Sequence, residues 1–204
     1  MKRFFRHIAY LFSFLVSAKV LNALWSVKIN LYTGFYKRFF GAFGEDSLIV
    51  PKLRSIVGAD CIQIGNNCVL GKNAKLCVYK KDCSNKESRP QLLIGNGTEI
   101  GDNVHITCIS RIVIGNNVLM GSNVLITDNS HGTTQYNELR KHPVDRELFS
   151  RGEVYIEDDV WISEKASIMP GVRIGRGSVI GANTVVTKNI PPYSVVVGQA
   201  SRIL

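Results

Sequence analysis

The feature that most constrains this chain is an aliphatic residue that recurs every six positions from about Val57 onward. A period of six matches neither the 3.6-residue turn of an α-helix nor the two-residue repeat of a strand. A short strand followed by a tight turn, repeated along the chain, has this period and turns one aliphatic side chain inward per hexad. The recurring residues form five groups of three: Ile64, Leu70 and Leu76; Ile94, Ile100 and Ile106; Ile114, Met120 and Ile126; Ile156, Ile162 and Ile168; Ile174, Ile180 and Val186.

This six-residue repeat predicts a mainly β protein. We expect a parallel β-helix in which three hexads make one triangular coil and about five coils stack. Glycine often follows the aliphatic residue, as at Gly101 and Gly121. We attribute these glycines, and the asparagines that follow them, to turns that need residues tolerant of a positive φ. The repeat breaks at residues 189–193, and a last strand from Ser194 to Val197 is expected to close the column.

Three interruptions of the repeat follow Leu76, Ile106 and Ile126, each at the end of a group of three. Every insertion is therefore predicted to leave the column at the same corner. The longest, residues 127–155, protrudes as a long loop, and an excursion of this length inside a compact repeat is usually functional. We divide the chain into an N-terminal helical segment, 1–54, and a β-helix domain, 55–204.

Residues 1–44 differ from the rest, because a basic start precedes a short apolar stretch from Ile8 to Ala18. The stretch is well below the roughly 20 residues of a transmembrane helix. A signal peptide fits the basic start and Val16-Ser17-Ala18. An amphipathic helix fits the spacing better; its apolar side comprises Phe4, Phe5, Ile8, Leu11, Phe12 and Leu15. Such a helix would lie on an anionic membrane surface or pack against its own domain or another subunit, and both interpretations stay open.

Composition limits the partners and the compartment. The chain has 204 residues, a formal net charge of +9 and five cysteines without a Cys-x-x-Cys pair. The positive charge favours anionic partners such as a nucleotide cofactor or a lipid head group. Nucleic acid binding is discounted, because no known reading motif accompanies the charge. The cysteines support neither a disulfide framework nor a zinc site, and they are typical of a cytosolic protein with reduced thiols.

Several C-terminal motifs resemble those of the galactoside, maltose and polysaccharide O-acetyltransferases, which are hexapeptide-repeat acyltransferases. The resemblance covers roughly residues 55–204. It is carried by residues 160–162, 168–175, 179–182, 185–192 and 198–202, which include Ile168-Met169-Pro170-Gly171-Val172 and Gly198-Gln199-Ala200-Ser201-Arg202. The resemblance implies a left-handed coil, a homotrimer with active sites between adjacent columns, and acetyl-CoA as donor with no metal. It also implies a sugar hydroxyl as acceptor.

Transfer of an acetyl group to a hydroxyl needs a base at neutral pH, which a histidine can supply. His131 lies five residues after Ile126, and this placement matches the family's catalytic histidine. His142 competes with it, because His142-Pro143-Val144 resembles the segment that holds the catalytic histidine of the galactoside enzyme. Spacing from the preceding hexad favours His131 as the base, with His142 beside the acceptor. His105 precedes Ile106 and is expected to point outward, either lining a cleft or, as the favoured interpretation, as an ordinary surface histidine.

The remaining site residues are each predicted with an alternative. Asp128, Glu147 or Glu153 would orient the imidazole, although an acid in a polar loop is usually just solvated. Asn103 falls near the family's acceptor-binding asparagine but equally suits a turn. The resemblance further implies that the coenzyme contacts Trp161, Ser163, Ala182, Thr187, Lys188 and Arg202, of which Trp161 could instead pack between subunits and Lys188 could be a solvated turn lysine.

The leading function is O-acetylation of a sugar in a capsule, O-antigen or exopolysaccharide precursor, with the acceptor carried on lipid at the inner face of the plasma membrane. A free sugar, antibiotic or serine acceptor is an alternative. A γ-type carbonic anhydrase would need three histidines around zinc, and His131 and His142, the closest pair, are eleven residues apart. A non-catalytic β-helix scaffold is a third hypothesis.

Overall fold

The computed structural model describes residues 1–14, 16–79 and 91–198. Most of these residues form a column of parallel strands whose cross-section is a triangle with three faces. Strands are numbered in chain order, and each strand pairs with the strand one coil away on the same face. The resulting register places the recurring aliphatic residues on top of one another, as Ile64, Ile94, Ile114 and Ile156 show.

The first face has six strands, which are β1 (Ala42–Phe43), β4 (Ile62–Ile64), β7 (Gln91–Ile94), β10 (Arg111–Ile114), β15 (Val154–Ile156) and β18 (Arg173–Ile174). The second face has seven, which are β2 (Leu48–Ile49), β5 (Val69–Leu70), β8 (Glu99–Ile100), β11 (Leu119–Met120), β16 (Trp161–Ile162), β19 (Val179–Ile180) and β21 (Val195–Val196). The third face has six, which are β3 (Ser55–Val57), β6 (Lys75–Val78), β9 (His105–Cys108), β12 (Leu125–Thr127), β17 (Ser167–Ile168) and β20 (Val185–Val186).

The described strands make six coils, one more than the sequence predicted, and the additional coil is the first. Its inward positions, Phe43, Ile49 and Ile56, pair with Ile64, Leu70 and Leu76 of the next coil. The column therefore begins at Ala42, inside the segment 1–54 that we had assigned to helices. A search for aliphatic residues every six positions does not detect this coil, because its steps are six and seven residues and one of its three inward positions is a phenylalanine.

The core is a continuous stack of aliphatic side chains inside the triangle. Ile62, Leu76, Ile106, Ile126 and Ile168 are all fully excluded from solvent. Apolar burial of this kind stabilises a fold by roughly 25 cal/mol for each Å² removed from water. The predicted inward set is therefore the hydrophobic core of the protein.

The glycines after the inward residues have a different role from the one we predicted. Positive φ occurs instead two residues later, for example at Asn103 (58°) and Asn123 (61°). A Cβ on Gly101 would lie 2.6 Å from the carbonyl carbon of Gly121 in the next coil. These glycines are thus required because the backbones of successive coils approach closely at the corners.

Two helices precede the column. Helix α1 spans Lys2–Ser13, and helix α2 spans Ala18–Tyr36 and is followed by a 3₁₀ turn, Lys37–Phe39. Ser17 caps α2, because its hydroxyl accepts a hydrogen bond from the amide of Val20. The end of α2 covers the bottom of the column, where the hydroxyl of buried Thr33 accepts a 2.9 Å bond from the amide of Ile49. Among the described residues, no helix is both long enough and apolar enough to cross a bilayer.

The predicted insertions after Leu76, Ile106 and Ile126 each join a strand of the third face to the next strand of the first face, and we call this corner the loop edge. The longest, residues 128–153, leaves after β12 and returns at β15. It contains an antiparallel pair, β13 (Asn129–His131) and β14 (Leu148–Ser150), with a short helix α3 (Tyr136–Leu139) and a 3₁₀ turn (Pro143–Asp145) between them. A second 3₁₀ turn, Ala59–Cys61, lies at the loop edge of the first coil.

Candidate active site

His131 ends strand β13 at the base of the loop-edge hairpin and is exposed. It pairs with Leu148 across the hairpin, and the next residue, Gly132, donates a 2.8 Å backbone bond to the carbonyl of Glu147. The hydroxyl of Ser130 donates to the carbonyl of Gly132 at 3.0 Å. The hairpin therefore presents this imidazole from paired backbone and not from an irregular loop.

A cavity of about 470 Å³ lies between the hairpin and the outer surface of the third face. We call it the histidine groove, because two histidines line it. The hairpin contributes Asn129, Ser130, His131 and Leu148, and the third face contributes Lys75, Tyr79, His105, Thr107, Leu125 and Thr127. The groove thus places His131 over a surface of mixed polar and apolar side chains.

His105 lies in the same groove as His131. Its outward direction was predicted from its place before Ile106, and it lines the histidine groove, which was the less favoured of the two interpretations. Burial lowers its pKa from the usual value, and the positive charges of Lys75 and Arg54 lower it further. The ring is therefore neutral at neutral pH and can both donate and accept a hydrogen bond.

Asp128 does not orient His131 in this structure, because its carboxylate is completely buried and bound elsewhere. One oxygen accepts from the amide of Ile109 at 2.9 Å, and the other accepts from the amide of Ser110 at 2.8 Å. The side-chain amide of Asn129 and the thiol of Cys108 donate as well, at 2.9 and 3.4 Å. Burial and the neighbouring carboxylate raise the pKa of Cys108, so this thiol stays protonated. Asp128 fixes the base of the hairpin to the adjacent coil.

The other predicted orienting and acceptor residues lie away from the histidine groove. Glu153 accepts a hydrogen bond from the hydroxyl of Tyr155. His142 is exposed beside the turn that begins at Pro143. Asn103 occupies a left-handed turn position, and its side-chain oxygen accepts a 3.1 Å bond from the amide of Asn73 one coil below. Asn103 is therefore placed in a turn ladder between the second and third faces.

The predicted coenzyme contacts are spread over the fifth and sixth coils. Trp161 points outward from the second face and is half-exposed. Ser163 and Ala182 lie in turns between the second and third faces, and the amide of Ser163 donates to the carbonyl of Ile180, which leaves it no free hydrogen for a ligand. Thr187 and Lys188 are exposed at the loop edge of the sixth coil. Arg202 lies outside the described residues.

Because parallel strands are spaced by about 4.8 Å, Lys188 lies roughly 10 Å above the base of the hairpin along the same edge. Trp161, by contrast, belongs to the face opposite that edge. Within one chain these residues cannot share a small ligand. Among the described residues, no group of three His, Cys, Asp or Glu side chains is arranged to hold a metal ion.

Comparisons with known proteins agree with this architecture. A family model described as bacterial transferase hexapeptide (six repeats) matches residues 153–188, and one described as hexapeptide repeat of succinyl-transferase matches residues 61–77. The chain is 30% identical over 146 residues to the putative lipopolysaccharide biosynthesis O-acetyl transferase WbbJ of Escherichia coli K12, with 70% of each chain covered. It is 39% identical over 167 residues to the galactoside O-acetyltransferase of Lactococcus lactis, which covers 79% of this chain and 61% of the relative.

A solved structure supports the same grouping. The hexapeptide-repeat-containing acetyltransferase from Vibrio cholerae superimposes with a TM-score of 0.54 at 27% identity, over 82% of this chain and 74% of that protein. Both family models match residues that form strands of the column. The chain therefore belongs to the hexapeptide-repeat acyltransferases.

Proposed function

We propose that this protein is an acetyl-CoA-dependent O-acetyltransferase that modifies a hydroxyl group of a sugar in a cell-surface polysaccharide precursor. The observation that carries the proposal is the position of His131, which a paired hairpin holds over a groove on the column. The relatives named above for O-acetyl transfer, to galactosides in one case and in lipopolysaccharide biosynthesis in the other, support the reaction type and the acceptor class.

The reaction follows from the chemistry of the imidazole. A ring nitrogen of His131 takes the proton of the acceptor hydroxyl while the oxygen attacks the thioester carbonyl carbon. A hydrogen-bond donor stabilises the resulting oxyanion. The carbon–sulfur bond then breaks, and the imidazolium returns its proton to the departing thiolate of coenzyme A. Charge and atoms balance without a metal or an oxidant.

A sugar panel tests the role of His131. Thiol release from acetyl-CoA is measured for the wild type, His131→Ala and His142→Ala with neutral and anionic sugars as acceptors. We expect His131→Ala to lower kcat by about 10²- to 10⁴-fold, the usual contribution of a positioned base. His142 is an exposed histidine in the same loop, and the kcat of His142→Ala should stay within about threefold of the wild-type value. Equal losses in both variants would refute the assignment.

We further infer a left-handed coil and a homotrimer whose active site lies between subunits. The geometry supports the trimer, because Trp161 and the loop edge are on opposite sides of one column. An exposed apolar strip on the second face also favours an interface; it consists of Leu119, Trp161 and Val195. In the trimer, the coenzyme would run beside Trp161 of one subunit toward His131 of the next, with Lys188 available to its phosphates.

Subunit complementation tests this arrangement. His131→Ala and Trp161→Glu are purified separately, mixed in equal amounts after mild denaturation, and refolded together. If each site takes His131 from one subunit and Trp161 from its neighbour, about one quarter of the sites in random trimers are intact and recover activity. Mixed trimers that remain as inactive as the parents would contradict a shared site. Size-exclusion chromatography with light scattering verifies that trimers formed.

The N-terminal helices support contact with an anionic lipid surface at the cytoplasmic face of the plasma membrane. Many large apolar side chains of these helices are exposed, among them Phe4, Phe5, Phe14, Leu24, Trp25, Leu31 and Phe35. The segment 1–44 contains no Asp or Glu, and its basic residues are Lys2, Arg3, Arg6, Lys19, Lys28, Lys37 and Arg38. Apolar area combined with positive charge is the composition that binds anionic membranes. A lipid-linked acceptor would be reached from such a surface.

Vesicle co-sedimentation tests this contact with the full chain. Vesicles with one third phosphatidylglycerol are compared with vesicles of phosphatidylcholine alone, and the variant Arg3→Glu/Arg6→Glu is compared with Lys165→Glu on the column. We expect the double variant to lose about ten-fold or more in binding to anionic vesicles, because each basic residue contributes about 1 kcal/mol there. Equal binding to both vesicle types would refute the contact.

A further inference from the structure

The floor of the histidine groove carries a row of side chains that the proposed reaction does not use. Lys75, His105 and Leu125 are directly aligned on neighbouring strands of the third face. All three line the groove beside His131. Arg54 lies one coil below Lys75, since the next residue, Ser55, pairs with Lys75. The lower end of the groove is therefore basic, and its upper end lies at the hairpin.

No carboxylate of the described residues neutralises these two cations. Neither Lys75 nor Arg54 takes part in an ion pair within the described part of the chain. Two acids adjoin groove-lining residues in sequence. Asp128 is buried and saturated by donors, and Glu147 lines a different cavity on the hairpin. Burial and, to a smaller extent, the charges of Lys75 and Arg54 hold the pKa of His105 below its usual value, which keeps that ring neutral between the cations and His131. The groove thus has a positive end that can receive an anion.

We propose that the groove is an acceptor subsite for a sugar that carries an anionic group, which Lys75 and Arg54 hold while His105 hydrogen-bonds a sugar hydroxyl. This inference rests on the proposed function, because it names the substrate class of that site. The anionic group is the carboxylate of a uronic acid or the phosphate of a nucleotide- or lipid-linked sugar. Both satisfy the same cations, since lysine and arginine bind either oxyanion through charge-assisted hydrogen bonds.

The direction of the groove agrees with an acceptor that binds at its lower end and a coenzyme that binds above the hairpin. The predicted coenzyme contacts lie on the fifth and sixth coils, above the hairpin, whereas Lys75 and His105 lie on the second and third coils, below it. An acceptor bound from below would bring its reacting hydroxyl to His131 and leave its anionic end near Lys75. Leu125, half-buried between His105 and the hairpin, offers an apolar contact for the face of the sugar ring.

Equilibrium binding tests the subsite without requiring turnover. The full-length protein is titrated, with ligand-observed NMR, against methyl glucuronide, glucose 1-phosphate and neutral methyl glucoside. We expect the wild type to bind at least one anionic probe about tenfold more tightly than methyl glucoside, the effect of one charge-assisted hydrogen bond. Preference for the glucuronide or for the phosphate identifies the source of the charge. Equal affinity for all three probes would overturn the proposal.

Variants separate the subsite from its surroundings. Lys75→Gln and Arg54→Gln should each remove most of the anionic preference, while Lys72→Gln, an exposed lysine in the turn before β6, should keep it. In acetyl transfer, Lys75→Gln should raise KM for the anionic acceptor and leave KM for acetyl-CoA unchanged. A raised KM for acetyl-CoA would mean that the cations bind coenzyme phosphates and would overturn the proposal.

The two proposals can fail separately. Loss of anionic binding in Lys75→Gln, in a protein that releases no thiol with any acceptor, would support the anionic subsite and refute the acetyl transfer. The opposite result is an active protein in which Lys75→Gln has the same kinetics as the wild type with anionic and with neutral acceptors. This result would support the acetyl transfer and refute the anionic subsite. Circular dichroism of each variant verifies that Lys75→Gln retains the strand content of the wild type.

Discussion

Removal of the Asp128 carboxylate should destabilise the protein and displace His131, the proposed base, on the hairpin. In Asp128→Ala, the amides of Ile109 and Ser110 lose their acceptors, which are 2.9 and 2.8 Å away. An unsatisfied buried donor costs about 1–3 kcal/mol, so two cost roughly 2–6 kcal/mol. Because both residues are only partly buried, water can replace part of the loss, and we expect about 2–4 kcal/mol.

The asparagine variant gives a sharper test of this reasoning. Both oxygens of Asp128 accept hydrogen bonds, from Ile109 and Asn129 on one side and from Ser110 and Cys108 on the other. An amide group has one oxygen, and its NH₂ would face a donor whichever way it turns. Asp128→Asn should therefore cost nearly as much as Asp128→Ala, although it preserves the shape of the side chain.

Urea unfolding at one fixed protein concentration measures these differences, because the stability of an oligomer depends on concentration. Asp102→Ala is the matched control: that aspartate accepts one bond, from the amide of Lys72 at 2.7 Å, in an exposed turn. We expect the control to lose less than about 1 kcal/mol, a value typical of a solvent-exposed hydrogen bond. If Asp128→Ala and Asp102→Ala unfold at the same urea concentration, the carboxylate does not hold the hairpin base as described. The kcat of Asp128→Ala, measured below its unfolding transition, should also fall, since His131 is three residues away.

Two further predictions concern stability. Gly101→Ala should destabilise the protein by about 1–3 kcal/mol, because the new methyl group overpacks against the backbone of the next coil. Gly34→Ala in helix α2 should stabilise it by about 0.5–1 kcal/mol, because no atom lies within 4 Å of the new methyl group. Thermal unfolding of both variants measures the two effects. For His105, the folded-state pKa is lowered, so the unfolded chain binds the proton first and stability falls as pH drops through about 6.5, the usual histidine pKa. His105→Gln should therefore show a smaller decrease in the urea midpoint between pH 7 and pH 5, and identical decreases would contradict the buried, neutral assignment.

The spacing of residues was sufficient to predict the fold because it specifies a local repeat. Each inward position, such as Ile106 or Ile126, is determined by its distance from the previous one, and no long-range information is needed. The first coil escaped prediction because its steps are not all six and Phe43 replaces an aliphatic residue. The role of the corner glycines was also misread, since the close approach of Gly101 to Gly121 depends on stacking between coils.

The site was predictable only in part, for a related reason. The position of His131 at the loop edge was predictable because its distance from Ile126 fixes where it emerges from the column. The partners of Asp128 lie eighteen to twenty residues earlier, and their proximity depends on the strand register that joins one coil to the next. His105 is likewise separated from His131 in sequence, and the register of β9 against β12 brings its face under the hairpin.

The same register explains how a column built from short repeats can carry a long insertion at one corner. Ile112 and Val154 are neighbours on adjacent strands although residues 128–153 separate their coils along the chain. Beyond the insertion, Asp158 accepts the amide bond of Asn116 at 2.8 Å, as Asn116 accepts that of Asn96 at 2.9 Å in the coil below. The hydrogen bonds between successive coils therefore resume as though the insertion were absent. The strands on either side of the insertion constrain the two ends of the hairpin. Because the third face and Asp128 hold the base of the hairpin, the position of His131 relative to His105 is set by the column and not by the distal residues 135–145.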